Sequence, residues 1–109
     1  EKTNLSISEI ASYSKHKRVA FYECIWQNVN RGEKTIHPCQ KPVKLYEWIL
    51  MNYAKEGDKI LDTHLGSGSL AIACHNLGFD LTACEIDPGY FQAAQKRLQQ
   101  HQSQIRMTL

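Results

Sequence analysis

The stretch Asp62-Thr63-His64-Leu65-Gly66-Ser67-Gly68-Ser69 joins two segments of different periodicity, a short apolar run and a helical repeat. Ahead of it, Lys59-Ile60-Leu61-Asp62 is a short apolar run that predicts a buried strand. Beyond it, Leu70, Ala71, Ala73, Cys74 and Leu77 recur on one helical side, which Gly78 closes. A strand, a glycine turn and a helix in that order form the place where α/β folds take up nucleotides. Glycines at 66 and 68 permit positive φ and let a ligand approach the backbone, while open amides at the helix start favour an anionic group. Taken alone, the same Gly-x-Gly turn also serves as a tight strand-to-helix joint with nothing bound.

Working outward, Leu81-Thr82-Ala83-Cys84-Glu85 predicts a second strand. Asp87 and Pro88 then read as an N-cap and a first helical position, opening a helix with Phe91, Ala94 and Leu98 inward and Gln92, Gln95, Lys96 and Arg97 outward. Gln99, Gln100, Gln102 and Gln104 make its far end polar and prone to fray. Upstream, Pro42 at a first helical position is followed by Val43, Tyr46, Ile49, Leu50 and Tyr53 on one face, with Gly57 as the stop. Alternating strands and helices with short joints make a right-handed parallel α/β unit. Residues 1–35 form a separate N-terminal segment: Ser6 with Glu9 reads as a capping box for a short helix bearing Ile7, Ile10 and Ala11, and residues 18–29 as a strand. Residues 36–109 are the α/β unit.

Composition bounds these readings. The chain has 109 residues, 42% of them hydrophobic and 22% charged, which suits one ordinary globular domain. Such a chain buries roughly 60 to 70% of its unfolded surface, too little for a large sheet covered by helices on both faces, so a large-enzyme reading concerns a piece of one. The net charge of +2, with Lys15, His16, Lys17 and Arg18 as its densest positive run, is too small a bias to establish a nucleic-acid partner. No stretch approaches the roughly 20 apolar residues of a membrane span, and the charged start lacks the apolar core of a secretory signal. A soluble, cytoplasmic protein without a membrane partner is expected. Cys24, Cys39, Cys74 and Cys84 include no Cys-x-x-Cys pair, so reduced thiols are expected rather than a metal site or a disulfide framework.

Two acids narrow the ligand. Glu85 lies nineteen residues beyond Gly66 at the end of the second strand, where a carboxylate can accept hydrogen bonds from ribose hydroxyls. Gly66-Ser67-Gly68-Ser69-Leu70-Ala71 also fits the dinucleotide pattern Gly-x-Gly-x-x-Gly/Ala, which keeps a nucleotide-dependent oxidoreductase fragment as an alternative. Asp62 opposes that alternative, because a carboxylate four residues before the first glycine would repel a pyrophosphate and attract an ammonium group. S-adenosylmethionine carries an ammonium, a carboxylate for the helix terminus and a ribose for Glu85.

Three ordered blocks then resemble one family. His37-Pro38-Cys39-Gln40-Lys41-Pro42 is similar to the His-Pro-Thr-Gln-Lys-Pro element of the amino-methylating DNA methyltransferases, which act on adenine N6 or cytosine N4, in their permuted class with the catalytic half first. The stretch Ile60-Leu61-Asp62-Thr63-His64-Leu65-Gly66-Ser67-Gly68-Ser69 resembles their Leu-Asp-Pro-Phe-x-Gly-Ser-Gly-Thr cofactor loop, and Glu85-Ile86-Asp87-Pro88-Gly89-Tyr90-Phe91 resembles their Glu-Ile-Asp-x-x-Tyr-Phe segment. The resemblance covers about residues 36–100, and three motifs in order are far more specific than any one.

It implies a Rossmann-like, S-adenosylmethionine-dependent methyltransferase unit, incomplete relative to a full methyltransferase sheet. Asp62, Gly66, Gly68 and Ser69 would line the methionine end of the cofactor, Glu85 would hold the ribose and Ile86 would lie against the adenine. His37, Cys39 and Lys41 would approach from the loop before residue 42. His64 stands where the family has phenylalanine, either as a polar residue at the cofactor edge or as a half-exposed turn residue. Thr63, Cys39 and Ser69 also depart from the pattern, and a cofactor affinity below the family norm is expected.

The resemblance further implies site-specific methylation in a restriction-modification setting, on double-stranded DNA with the target base flipped out of the stack. Adenine N6 is the first choice of target. The family's base-facing element, an Asp, Asn or Ser followed by Pro-Pro and an aromatic, is absent from these residues: the prolines are 38, 42 and 88, none adjacent. No catalytic residue is therefore assigned, and the chain alone is expected to be inactive. An upstream catalytic half, or a second copy of the chain, is the expected partner, since two strands leave unpaired edges. The remaining alternative is a non-catalytic module that binds cofactor and completes a partner.

Overall fold

The structure is a computed structural model that describes Ser14, residues 36–37 and 40–108, with side chains through residue 104. The readings of a capping box at Ser6 and a strand at 18–29 lie outside the described residues, as does Cys39. The elements in order are α1 (Val43–Tyr53), β1 (Lys59–Asp62), α2 (Ser69–Leu77), β2 (Asp80–Ala83) and α3 (Pro88–Thr108). The two strands pair in parallel, Lys59 with Asp80, Ile60 with Leu81, Leu61 with Thr82 and Asp62 with Ala83, and α2 is their crossover.

Alternation along the strands sorts the side chains. Ile60 and Leu81 turn toward the helices and pack against a core of Val43, Leu50, Ile72, Ala73 and Cys74. Lys59, Leu61, Asp80 and Thr82 lie on the other face and are exposed, Leu61 at 67%. Helix α2 packs against both α1 and α3, so five of its nine residues are buried, around more than one face. Burial, and then the Asp62 carboxylate, push the Cys74 thiol up from its ordinary value. Asn76 ties the three helices together, its amide donating to Glu47 of α1 (3.1 Å) and its carbonyl bonded to His101 of α3 (2.7 Å).

Three boundaries differ from the sequence reading. Pro42 is the N-cap of α1 with extended ψ of 144°, and Val43 is the first helical residue. The Pro42 carbonyl accepts the Leu45 amide (3.1 Å), the first bond of the opening turn. Strand β2 stops at Ala83 rather than Glu85. The pairing nevertheless runs on into the loops: the Cys84 amide donates to Asp62 (2.8 Å) and the Leu65 amide to Cys84 (2.9 Å). Helix α3 continues to Thr108, through the glutamine-rich end expected to fray.

The inward face of α3 is also rotated from the expected one. Ala94 is buried and Leu98 packs against the core, as read, but Phe91 is 37% exposed and Arg97 turns inward. The stripe that faces the rest of the molecule is Tyr90, Ala94, Arg97 and His101, spaced by four, three and four residues. Polar residues occupy it because each finds a partner there: Tyr90 a ring, Arg97 a carbonyl and a hydroxyl, His101 an amide.

Candidate functional site

The glycine turn leaves β1 at Asp62, whose Oδ1 accepts the His64 amide (2.9 Å) in a local side-chain turn. Gly66 and Gly68 both have positive φ, 59° and 82°. The Gly68 amide donates to Leu65 (3.2 Å), and Gly68 is itself the N-cap of α2, so no side chain caps that helix. Its first amides have no acceptor in their own helix.

Glu85 closes the turn from the far side. Its Oε1 accepts the Gly66 amide (2.7 Å) and its Oε2 the Asp87 amide (3.0 Å), binding the loops after β1 and β2 to each other. The Asp87 amide, then the Gly66 amide, hold the Glu85 carboxyl below its ordinary range, and the nearby His37 adds to this. Asp87 caps α3 by accepting the Tyr90 amide (2.9 Å).

His37 arrives from the segment before α1. Its ring lies 4.4 Å from that of Tyr90, and a Cβ placed on Gly66 would stand 3.7 Å from it, so His37 covers the first glycine. That segment is held by the Gln40 amide donating to the His37 carbonyl (3.2 Å) and by the Gln40 side chain accepting the Ile36 amide (2.9 Å).

Of the residues singled out in the sequence, His37, Gly66 and Glu85 come together around the turn, with Asp62 and His64 at its entry and Gly68 and Ser69 at its exit. Lys41 is half-buried one residue before the α1 N-cap. Ile86 is 96% exposed, an apolar side chain standing in solvent beside Glu85. His64 is exposed and its Nδ1 hydrogen-bonds the Thr63 hydroxyl (2.8 Å). Ser69 is buried at 1%, with its hydroxyl 3.2 Å from that of Ser67, so its side chain faces into the protein.

Sequence reasoning gave no part in the site to three contributors, Tyr90 of the third motif block, Ala94, which it placed inward, and Arg97, which it placed outward. The Arg97 Nη1 donates to the Ser67 carbonyl (3.2 Å) and the Ser69 hydroxyl (2.9 Å). The signal that marks them is their common helical stripe rather than their hydropathy.

A glycine turn between a parallel strand and an uncapped helix, closed by an acid after the next strand, defines an α/β nucleotide-binding unit. The DNA methylase family profile matches residues 1–96, and the chain belongs to that family. The match takes in the N-terminal segment as well as the three blocks. The type II methyltransferase M.HpaI of Haemophilus parainfluenzae is 39% identical over 69 residues, which are 63% of this chain and 22% of that protein. M2.DpnII of Streptococcus pneumoniae is 40% identical over 63 residues, 58% of this chain and 24% of that protein. The chain thus spans about a quarter of the length of the curated relatives it matches. The crystal structure of an M1.HpyAVI–SAM complex superposes with a TM-score of 0.58 at 42% identity, over 61% of this chain and 33% of that one.

Proposed function

We propose that this chain is the S-adenosylmethionine-binding portion of a site-specific DNA amino-methyltransferase, acting on adenine N6 or, as the second choice, cytosine N4. The observation that carries the reading is the uncapped start of α2 behind Gly68, facing a turn whose loops Glu85 holds together. Those open amides suit the carboxylate of the cofactor's methionine end. Asp62 uses one oxygen on the His64 amide and keeps acceptor capacity for an ammonium group. Glu85 spends one bond per oxygen on amides, and each oxygen retains a lone-pair site for a ribose hydroxyl. Ile86 supplies an apolar surface for the adenine. His37, with Cys39 and Lys41 of the same segment, closes the other side, and His64 stands at the edge.

When bound, the cofactor supplies a methyl group activated on a sulfonium. This chain's residues orient it, while the acceptors for the flipped base's amine come from an upstream catalytic half or a partner copy. Soluble, cytoplasmic action on double-stranded DNA within a restriction-modification pair follows from this reading, and among the described residues no helix is long and apolar enough to cross a membrane.

Calorimetric titration with S-adenosylhomocysteine, a non-reactive product, tests the proposal. One-site saturable binding, weakened in Asp62→Ala and Glu85→Gln, is expected, with no response to NADH. A folded chain that binds NADH and ignores S-adenosylhomocysteine refutes it in favour of the oxidoreductase alternative.

A further inference from the structure

The Ser67–Gly68 peptide is held at both ends. On one side its carbonyl accepts the Arg97 Nη1 (3.2 Å); on the other its amide donates to the Leu65 carbonyl (3.2 Å). The group is planar, so fixing the oxygen and the nitrogen fixes the plane. Were that plane to flip, the Ser67 oxygen would turn away from α3, carrying its partial negative charge with it. Arg97 opposes the flip with a charge-assisted bond, which is stronger than a neutral one. The same nitrogen reaches the Ser69 hydroxyl (2.9 Å), whose oxygen is thereby an acceptor toward Arg97, with the Ser67 hydroxyl 3.2 Å away. Both serines are buried, so these bonds sit in surroundings that screen them poorly. Ala94, three residues earlier on the same stripe, meets the turn at Gly68, where an added Cβ would approach to 3.0 Å.

We infer that Arg97 is a positioning residue for the amino-acid end of the nucleoside ligand. It keeps the Ser67 carbonyl directed at α3 and leaves the open amides at the start of α2 facing the ligand's carboxylate. The inference rests on the cofactor reading above and deepens it, since it assigns to a helix lying behind the turn the selection of ligands that carry the amino-acid tail.

The test uses two ligands that share a nucleoside. S-adenosylhomocysteine carries the amino-acid end, and 5′-methylthioadenosine lacks it. In the full chain, Arg97→Gln is expected to weaken S-adenosylhomocysteine about tenfold, the worth of one charge-assisted bond, and to leave 5′-methylthioadenosine within about twofold. Arg97→Lys, which keeps the charge, is expected to recover part of the loss.

Equal losses for both ligands, or no loss for either, overturn the inference. Ser69→Ala provides a second route should Arg97→Gln fail to fold: it removes one Arg97 acceptor and is expected to show a smaller loss confined to S-adenosylhomocysteine, with an equal change for both ligands again refuting the role. A wild-type chain that binds neither nucleoside removes the cofactor reading itself, whereas binding of both with no Arg97 dependence removes only the positioning role.

Discussion

The two ends of α2 are built from the same residue in nearly the same conformation. Gly68 begins the helix at φ 82° and Gly78 ends it at φ 79°. At Gly78 the geometry does one thing: the amides of Gly78 and Phe79 turn back to the Cys74 carbonyl and close the helix, and nothing lies within 4 Å of where a Cβ would be. At Gly68 the left-handed turn is also a packing surface, pressed by Ala94 and braced by Arg97 through the residues on either side. One glycine is required by its backbone and the other by its backbone and its surroundings together.

Gly68→Ala should have the largest effect at either end of α2. Forcing a side chain to positive φ costs about 1 kcal/mol, and overpacking against Ala94 adds roughly 1–3 kcal/mol. Chemical denaturation should therefore show a loss of about 2–4 kcal/mol, with ligand binding abolished. A stability near wild type would mean that α3 yields easily and does not brace the turn.

Glu85 sharpens the contrast through pH. Its carboxyl is held below its ordinary value by the Asp87 and Gly66 amides, so the closure it provides is complete above about pH 4.5 and is lost as pH falls through the lowered value. Amide exchange at Gly66 should accelerate in that acidic window, and Glu85→Gln should show fast exchange already at neutral pH. The Gly78 amide, which bonds to Cys74, should respond to neither change.

Gly78→Ala is the matched control. With open space around it the cost is that of φ alone, about 1 kcal/mol, and binding of S-adenosylhomocysteine should be unchanged. Loss of binding in this variant would erase the distinction between the two ends.

The smallest effect concerns the clasp near the closing end of α2. Burial first, then His75 and Arg97, lower the His101 value, with Glu47 opposing. Its contribution is thus full above about pH 6.5 and declines as pH falls through the lowered value, where protonation disfavours this environment. Thermal melts should show a slight decline in that range that His101→Asn removes, while the acid response of Glu85 at the other end persists.

Much of this was legible in the residues themselves. Strand β1 was read at Lys59–Asp62, the helix stop at Gly78 and the Asp87 cap of α3 as they stand, because each depends on a few neighbouring residues. The three motif blocks pointed to the family that the profile confirms. Arg97 turns inward against the sequence reading, since hydropathy ranks a side chain by its transfer to an apolar phase and is blind to a hydrogen-bonding partner waiting inside, while Phe91 stands 37% exposed at the edge of the inward face. Tyr90 stands in the third motif block, but its role beside the turn is not legible there because its partner, His37, lies far off in the chain.

The alternation of strand and helix, the left-handed glycines, the caps and the motif order are local features, set by steric preferences and hydrogen bonds within a few residues and therefore written in the chain. What holds the turn in place is set by long-range packing instead. Glu85 reaches the Gly66 amide across nineteen positions and Arg97 reaches Ser67 across thirty, and such pairings exist only once packing has brought β2 and α3 against the loop.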